Sequence, residues 1–502
     1  MFNGSETSII FFITLIALGV LLWGYRRAAS YGKLGILAWL QSVTLTLPWL
    51  IFFGLFALGI HLNLVAIIFL MLTSVAVYIA LGKKLRAEGQ AELLQQKAAE
   101  KIKLEEEKAE NRETLPENLS EQEVKPEIVP IPPADLELIK GIFGIDTFWQ
   151  TEAIPYEEGA IFRGNLRAEP DKAYEKLKNN LKSVLGDKYR LFLVESPEEK
   201  PVVIILPAKN DPQPATLAQK NLAIVLFLAT IATTLEAAAL LRGFDLFSEL
   251  NRYREIIPLA LGIWAVLIAH ELGHRWLANK YEVRLSIPFF LPSWQIGSFG
   301  AITRFESLLP NRTALFDIAI AGPASGGIVS LLMLIGGLIL SHPGSTFQIP
   351  SEFFHGSILV GGLAKVILGD KLQAALVDVH PLTIIGWLGL VITCLNLLPA
   401  GQLDGGRIVQ AIYGRKTARR STIATLIILG IVALFNPANP IPLYWALLIL
   451  FLQRDLERPS LNELSEVNDT RAFWGLIILF LMLITLIPLS ADLAIRLGIG
   501  VA

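Results

Sequence analysis

Residues 268–276 read IAHELGHRW. On a helix, His270 and His274 face the same way, about 6 Å apart along the axis. Two imidazoles so placed can ligate one zinc ion, and Glu271 between them stands where a general base toward water belongs. Zinc lowers the pKa of water it binds to about 7, which makes hydroxide available at neutral pH. The competing reading is a pair of interfacial histidines that only hydrogen-bond. A catalytic zinc commonly takes a third protein ligand. The lone Cys394 excludes a multi-cysteine site and reads as a small buried hydrophobe. The other histidines, His61, His342, His355 and His380, fall on the opposite side in the topology below. Asp404, in NLLPAGQLDGGR (396–407), follows an apolar helix and precedes Arg407, as His274 precedes Arg275. Both side chains then reach a similar depth at one membrane face. Asp404 is the predicted third ligand. Its alternative is a turn or cap aspartate, because Asp-Gly is a common turn pair.

The elements that position these groups are membrane helices. The stretch IIPLALGIWAVL leads into the histidines. An ionisable group there costs about 2.5–3.5 kcal/mol on insertion scales, a cost that a bound metal offsets. The whole chain of 502 residues is 53% hydrophobic and 18% charged, with a mean hydropathy of +0.53. Soluble domains are about 25% charged. A net charge of −2 gives no basic surplus for a nucleic-acid partner. Crossing the hydrocarbon takes roughly 20 apolar residues. Candidate spans are 7–23, 35–59, 63–82, 221–242, 258–280, 313–340, 383–411, 420–436, 440–453 and 472–492. The chain is thus expected to be an all-α polytopic membrane protein with about ten crossings, partnered by the lipid bilayer. The first span precedes YRRAASYGK without a small-residue cleavage site, so it is expected to be retained. SILVGGLAKVILG (357–369) is too short to span and reads as an interfacial helix or a lid.

Between the third and fourth spans the composition changes. Residues 83–112 are rich in Ala, Glu, Lys, Leu and Gln and read as a solvated charged helix. Residues 113–133 carry Pro116, Pro126, Pro130, Pro132 and Pro133 and read as an extended linker. Residues 134–210 regain globular character. AIFRGNLR, YRLFLVES and KPVVIILPAK read as strands, and DKAYEKLKNNLKSVLG as a helix ended by Gly186. The predicted organisation is therefore N-terminal membrane helices (1–82), a charged helix and linker (83–133), a small soluble α+β domain (134–210), a catalytic core (221–435) and C-terminal membrane helices (436–502). Arg26, Arg27 and Lys33 follow the first span; Lys83, Lys84 and Arg86 follow the third. Arg275, Lys280 and Arg284 follow the fifth, and Arg407, Arg415, Lys416, Arg419 and Arg420 the seventh. All fall on one side, which the positive-inside rule makes cytoplasmic.

Two more features share that face. LSIPFFLPSWQIGSFGAITRF (285–305) is apolar but broken by Pro288, Pro292, Gly297 and Gly300. It reads either as a re-entrant hairpin packed on protein or as an interfacial loop. A hairpin around Gly297, Phe299 and Gly300 offers an edge to an extended substrate backbone. AIAGPASGG (319–327) opens the sixth span with small residues that let helices approach closely.

Taken together, HELGH in one span, NLLPAGQLDGG in another and a glycine-rich span between them resemble the site-2 protease family of intramembrane zinc metalloproteases. The resemblance covers about 258–411. It implies a three-helix core, a zinc ion on His270, His274 and Asp404, and a base at Glu271. It also implies that Asn396 and Pro399 admit or position unwound transmembrane protein substrates. GNLR at 164–167 makes the chain similar to the plastid ethylene-dependent gravitropism-deficient and yellow-green proteins and their cyanobacterial relatives. A plastid transit peptide is not seen, so a cyanobacterial plasma or thylakoid membrane is the expected home. The rival class is a membrane transporter or ion pathway built on intramembrane His, Glu and Asp, with Glu236 as a further member.

Overall fold

The computed structural model describes residues 19, 22–30, 32–57, scattered positions between 70 and 85, and 131–500 apart from 157, 197, 247, 438 and 454. Two compact units divide the chain at residues 124 and 125. In the first, helix α1 (Gly32–Ala57) covers the predicted span 35–59. The predicted spans 7–23 and 63–82, the charged segment and the linker lie mostly outside the described residues.

The second unit opens with α2 (Pro133–Lys140), β1 (Phe148–Tyr156), β2 (Gly159–Leu166), α3 (Pro170–Leu185), β3 (Tyr189–Glu195) and β4 (Pro201–Pro207). The strands form one antiparallel sheet in the order β1-β2-β4-β3. Ala173, Tyr174, Leu177 and Leu181 bury one stripe of α3, as helical periodicity requires. Tyr174, Leu177 and Leu181 meet Phe148, Phe162, Leu193, Val203 and Ile205 of the sheet. Strand β1 is absent from the sequence reading because Pro155 and a register shift between Gln150 and Glu152 break its pattern. Both are tolerated in an edge strand. Gly164 of the GNLR motif pairs with Gln150, and a Cβ there would lie 2.2 Å from the Trp149 carbonyl.

The helical part runs α4 (Leu217–Leu241), α5 (Tyr253–Lys280), β5 (Phe289–Ser293), β6 (Gly297–Ile302), α6 (Arg312–Leu340), β7 (Phe347–Pro350), α7 (Ile358–Leu368), β8 (Leu376–Val379), α8 (Pro381–Asn396), α9 (Asp404–Phe435), α10 (Ile441–Leu448), α11 (Asp469–Leu486) and α12 (Ala491–Arg496). Among the described residues, five helices are long and apolar enough to cross a membrane: Gln219–Leu241, Leu250–Lys280, Arg312–Leu340, Asp404–Phe435, which is two helical segments meeting at a kink at Gly414 (φ +77), and Asp469–Leu486. Helix α8 and the segment Ile441–Gln453 are apolar but shorter. The segment 285–305 is a hairpin, with β5 and β6 antiparallel.

One predicted span is redrawn. Residues 383–411 do not form a single helix; α8 ends at Asn396 and α9 begins at Asp404. The turn between them folds back on itself. Gly401 has φ +50, and a Cβ on Gly405 would lie 1.9 Å from the Leu397 carbonyl. Asp404 is therefore the first residue of a helix and not near the end of one, a position that favours a carboxylate. Apolar composition ran through the turn and hid it.

Candidate active site

Helix α5 carries His270 and His274 one turn apart, both buried. Helix α9 brings Asp404 to them from its first turn. The two Nε2 atoms are 3.1 Å apart, and Asp404 Oδ2 lies 3.2 Å from His270 Nε2 and 3.4 Å from His274 Nε2. His274 Nδ1 donates to the Ile318 carbonyl at 2.7 Å, so its Nε2 presents a lone pair to the cluster. Three electron-rich atoms thus converge in a buried place, which calls for a cation. A tetrahedral zinc with bonds of about 2.0–2.2 Å holds its ligand atoms roughly 3.3–3.5 Å apart, and the triangle fits. Among the described residues these three form the group able to hold a metal.

The small residues of α6 acquire a specific meaning here. A Cβ on Gly322 would sit 2.1 Å from His274 Nε2, and one on Gly326 would sit 3.1 Å from His270 Cβ. Ser325 Oγ donates to the Ala269 carbonyl at 2.8 Å. The glycine-rich stripe is cut to the shape of the imidazoles as well as to a neighbouring helix.

Comparison with known proteins agrees with this geometry. Residues 258–436 match peptidase family M50, and residues 137–214 match the EGY3 middle domain. The chain is 39% identical over 369 residues to the probable zinc metalloprotease EGY2, chloroplastic, of Arabidopsis thaliana, covering 71% of this chain and 65% of that protein. It is 38% identical over 408 residues to EGY1 of the same plant, described in the same words, covering 74% of each. It is 34% identical over 378 residues to the probable zinc metallopeptidase EGY3, chloroplastic, of that plant, covering 71% of this chain and 66% of the relative. The chain belongs to peptidase family M50. No solved structure matches it. Zinc is the metal to which the family and the donor set both point.

Around this M50 centre the remaining side chains divide into two groups. Glu271 is buried beside the donors, and Thr303 Oγ1 donates to its Oε2 at 2.8 Å. Two small cavities flank the carboxylate. Gly300 and Asn396 border the one next to His270, and Asn396 also borders the one next to His274 and Asp404. Asn396 Nδ2 donates to the Phe299 carbonyl at 3.2 Å, and a Cβ on Gly300 would come within 2.5 Å of that nitrogen. Gly297, Phe299 and Pro399 border neither cavity. The Gly297 carbonyl accepts from Thr233 Oγ1 at 2.6 Å, the Phe299 ring stacks on Tyr444 at 4.6 Å, and the Pro399 carbonyl accepts from Ser421 Oγ at 2.6 Å. These three support the turn and the hairpin.

Several site residues have no signal in the sequence. Arg407 Nη1 lies 3.8 Å from Asp404 Oδ1, and its Nη2 donates to the Thr303 carbonyl at 2.8 Å. Glu457 accepts from Arg407 Nε at 3.1 Å and lies 3.0 Å from its Nη2. Thr303 reaches the site from the end of the hairpin segment, whose prolines and glycines signal the fold but not this residue, and Glu457 from a segment that carries no motif. Arg407 was legible only as a marker of the membrane face. Glu236 lies in a different place. Its Oε2 accepts the Leu246 N–H at 3.1 Å, which makes it a holder of the loop after α4.

Proposed function

We propose that this chain hydrolyses peptide bonds within or beside the transmembrane segments of membrane-protein substrates. The carrying observation is the convergence of His270, His274 and Asp404 from two apolar helices, with Glu271 buried beside them. Zinc bound there supplies Lewis-acid polarisation and a water of lowered pKa. Glu271 takes the proton of the attacking water and passes it to the departing amine as the C–N bond breaks. The Thr303 hydroxyl holds Glu271 Oε2, which leaves Oε1 for that transfer. The β5–β6 hairpin, pinned by Trp264 against Phe227 and Phe290 at centroid distances of 5.2 and 5.3 Å, would flank an unwound substrate. Sequence hydropathy supports about ten crossings in all, the basic loops support an active site near the cytoplasmic face, and a cyanobacterial plasma or thylakoid membrane suits a relative of chloroplastic proteins. Release of membrane-tethered regulators is the expected use.

Glu271→Gln tests the reading. Zinc should stay near one per chain while cleavage of a single-span peptide disappears. Cleavage retained in that variant contradicts the role of Glu271. Comparison of membrane proteomes from wild-type and Glu271→Gln cells then reveals substrates as proteins that persist uncut.

A further inference from the structure

The cavity beside Glu271, His274 and Asp404 has a volume of about 10 Å³, room for a single water. Gln453 forms part of its wall. This residue ends a short π-helical turn, Ile449–Gln453, a local irregularity that frequently marks functional sites. It is 4% exposed. Its backbone carbonyl accepts the Gln402 N–H at 3.2 Å, which fixes the end of the turn against the loop before Asp404. Its side-chain Oε1 is sealed from solvent and has no hydrogen-bond partner among the described residues. A buried amide oxygen without a donor is costly, and the cost is sustained where a donor arrives later. Gln453 lies beyond both matched family regions, 137–214 and 258–436.

We propose that Gln453 is a substrate-contacting catalytic residue whose carboxamide oxygen accepts the N–H of the scissile peptide bond. The inference rests on the peptidase reading above. In the reaction the water oxygen bonds to the carbonyl carbon, Glu271 carries the water proton to the nitrogen, and the C–N bond breaks to give a carboxylate and an amine. The nitrogen gains positive charge as it is protonated. An acceptor aimed at its N–H therefore binds the transition state more tightly than the ground state, and its effect falls on kcat. The position suits this role, because Gln453 lines the same small cavity as the base that delivers the proton. A water filling the cavity at rest would be displaced by the peptide.

The test pairs two single-span synthetic peptides, identical except that one carries an ester in place of the scissile amide. The ester has no N–H to donate. The full-length chain in detergent is assayed as wild type and Gln453→Met, with zinc content measured on each. Gln453→Met keeps the shape and loses the acceptor. It should lower kcat on the amide by roughly 10- to 100-fold with KM and zinc unchanged. Its loss of kcat on the ester should be no more than about twofold. If the Met variant does not accumulate, the amide-to-ester ratio of Gln453→Ala reads the same effect. Equal losses on both peptides, or no loss on the amide, overturn the role of Gln453 alone. A wild-type chain that cleaves neither peptide overturns the peptidase reading and this inference with it.

Discussion

Glu271 is held from one side and open on the other, and that asymmetry governs the chemistry expected of it. Thr303 Oγ1 at 2.8 Å fixes one carboxylate oxygen. Thr303→Val removes the hydroxyl at nearly constant volume, so Glu271 should rotate away from its working position. We expect kcat to fall about tenfold with zinc retained, because a misplacement of about 1 Å costs up to 10²-fold. Steady-state kinetics with zinc analysis on the same sample checks this. Gly322 makes the opposite prediction. The 2.1 Å approach of a Cβ to His274 Nε2 means that Gly322→Ala must displace the imidazole. Zinc affinity should drop roughly 10- to 100-fold, as losses around metal ligands typically do, and competition with a calibrated chelator measures it. At this scale the sequence was legible where spacing encodes geometry. His270, Glu271 and His274 lie on one helix, so 3.6 residues per turn brings them together without tertiary knowledge. Thr303, Ile318 and Gln453 arrive from other elements, and no local pattern announces them.

The elements explain how the donors come to one point. Helix α5 is continuous through His270 and His274, but the carboxylate needs a chain reversal immediately before it. Pro399, Gly401 and the close approach of Gly405 to the Leu397 carbonyl supply that reversal. An aspartate on the first turn of α9 then points at α5. Hydropathy identified the membrane helices of the core and misjudged this turn, because its residues are as apolar as the helices around it. The hairpin was legible from its prolines and glycines, since a broken apolar segment has few other ways to satisfy its backbone. Gly300 is one of two glycines of β6 at positive φ, at +98 beside Asn396. Gly300→Ala adds a Cβ in a conformation that L side chains rarely adopt, a cost of about 1–3 kcal/mol. It should lower cleavage at least tenfold while leaving zinc near one per chain, since strand and amide must shift by a fraction of an ångström. Unchanged cleavage would show that β6 does not flank the reacting peptide.

Across the whole molecule, the sheet domain and the catalytic helices are joined by the chain between α10 and α11. Leu461–Glu463 runs beside the edge strand β3, with Leu193 N–H on the Leu461 carbonyl at 2.8 Å and Glu463 N–H on the Leu193 carbonyl at 2.9 Å. Its other side meets the entry to α6, where Leu461 N–H donates to the Leu309 carbonyl at 2.8 Å. The same stretch supplies Glu457 to Arg407, so a continuous path runs from the sheet domain to Thr303 and Asp404. Glu457→Ala leaves the buried Arg407 without its main partner, a loss of about 3–5 kcal/mol in such pairs. The variant should unfold at lower temperature and bind zinc more weakly; a wild-type Tm would contradict the path. Away from the site, Tyr281 joins the ends of α5, α6 and α11. Its hydroxyl donates to Asp317 Oδ2 at 2.5 Å, and Arg471 Nε donates to Asp317 Oδ1 at 2.7 Å. Burial, with the Asp317 carboxylate beside it, pushes the Tyr281 hydroxyl up to about 12. The folded state therefore keeps this proton where an unfolded tyrosine, near pH 10, has lost it. The contribution is fully present below about pH 10 and is lost as pH rises toward 12. The alkaline limb of the stability curve should be shallower in Tyr281→Phe.

The proposed chemistry requires one zinc ion held by two imidazoles of α5 and the carboxylate at the start of α9. Zinc-edge X-ray absorption on the purified full-length chain reads that ligand set directly. It should show two imidazole nitrogens and a carboxylate oxygen at about 2.0–2.2 Å, with no sulfur, and Asp404→Ala should lose most of its zinc. A sulfur ligand, or a spectrum and zinc content unaltered in Asp404→Ala, would contradict it.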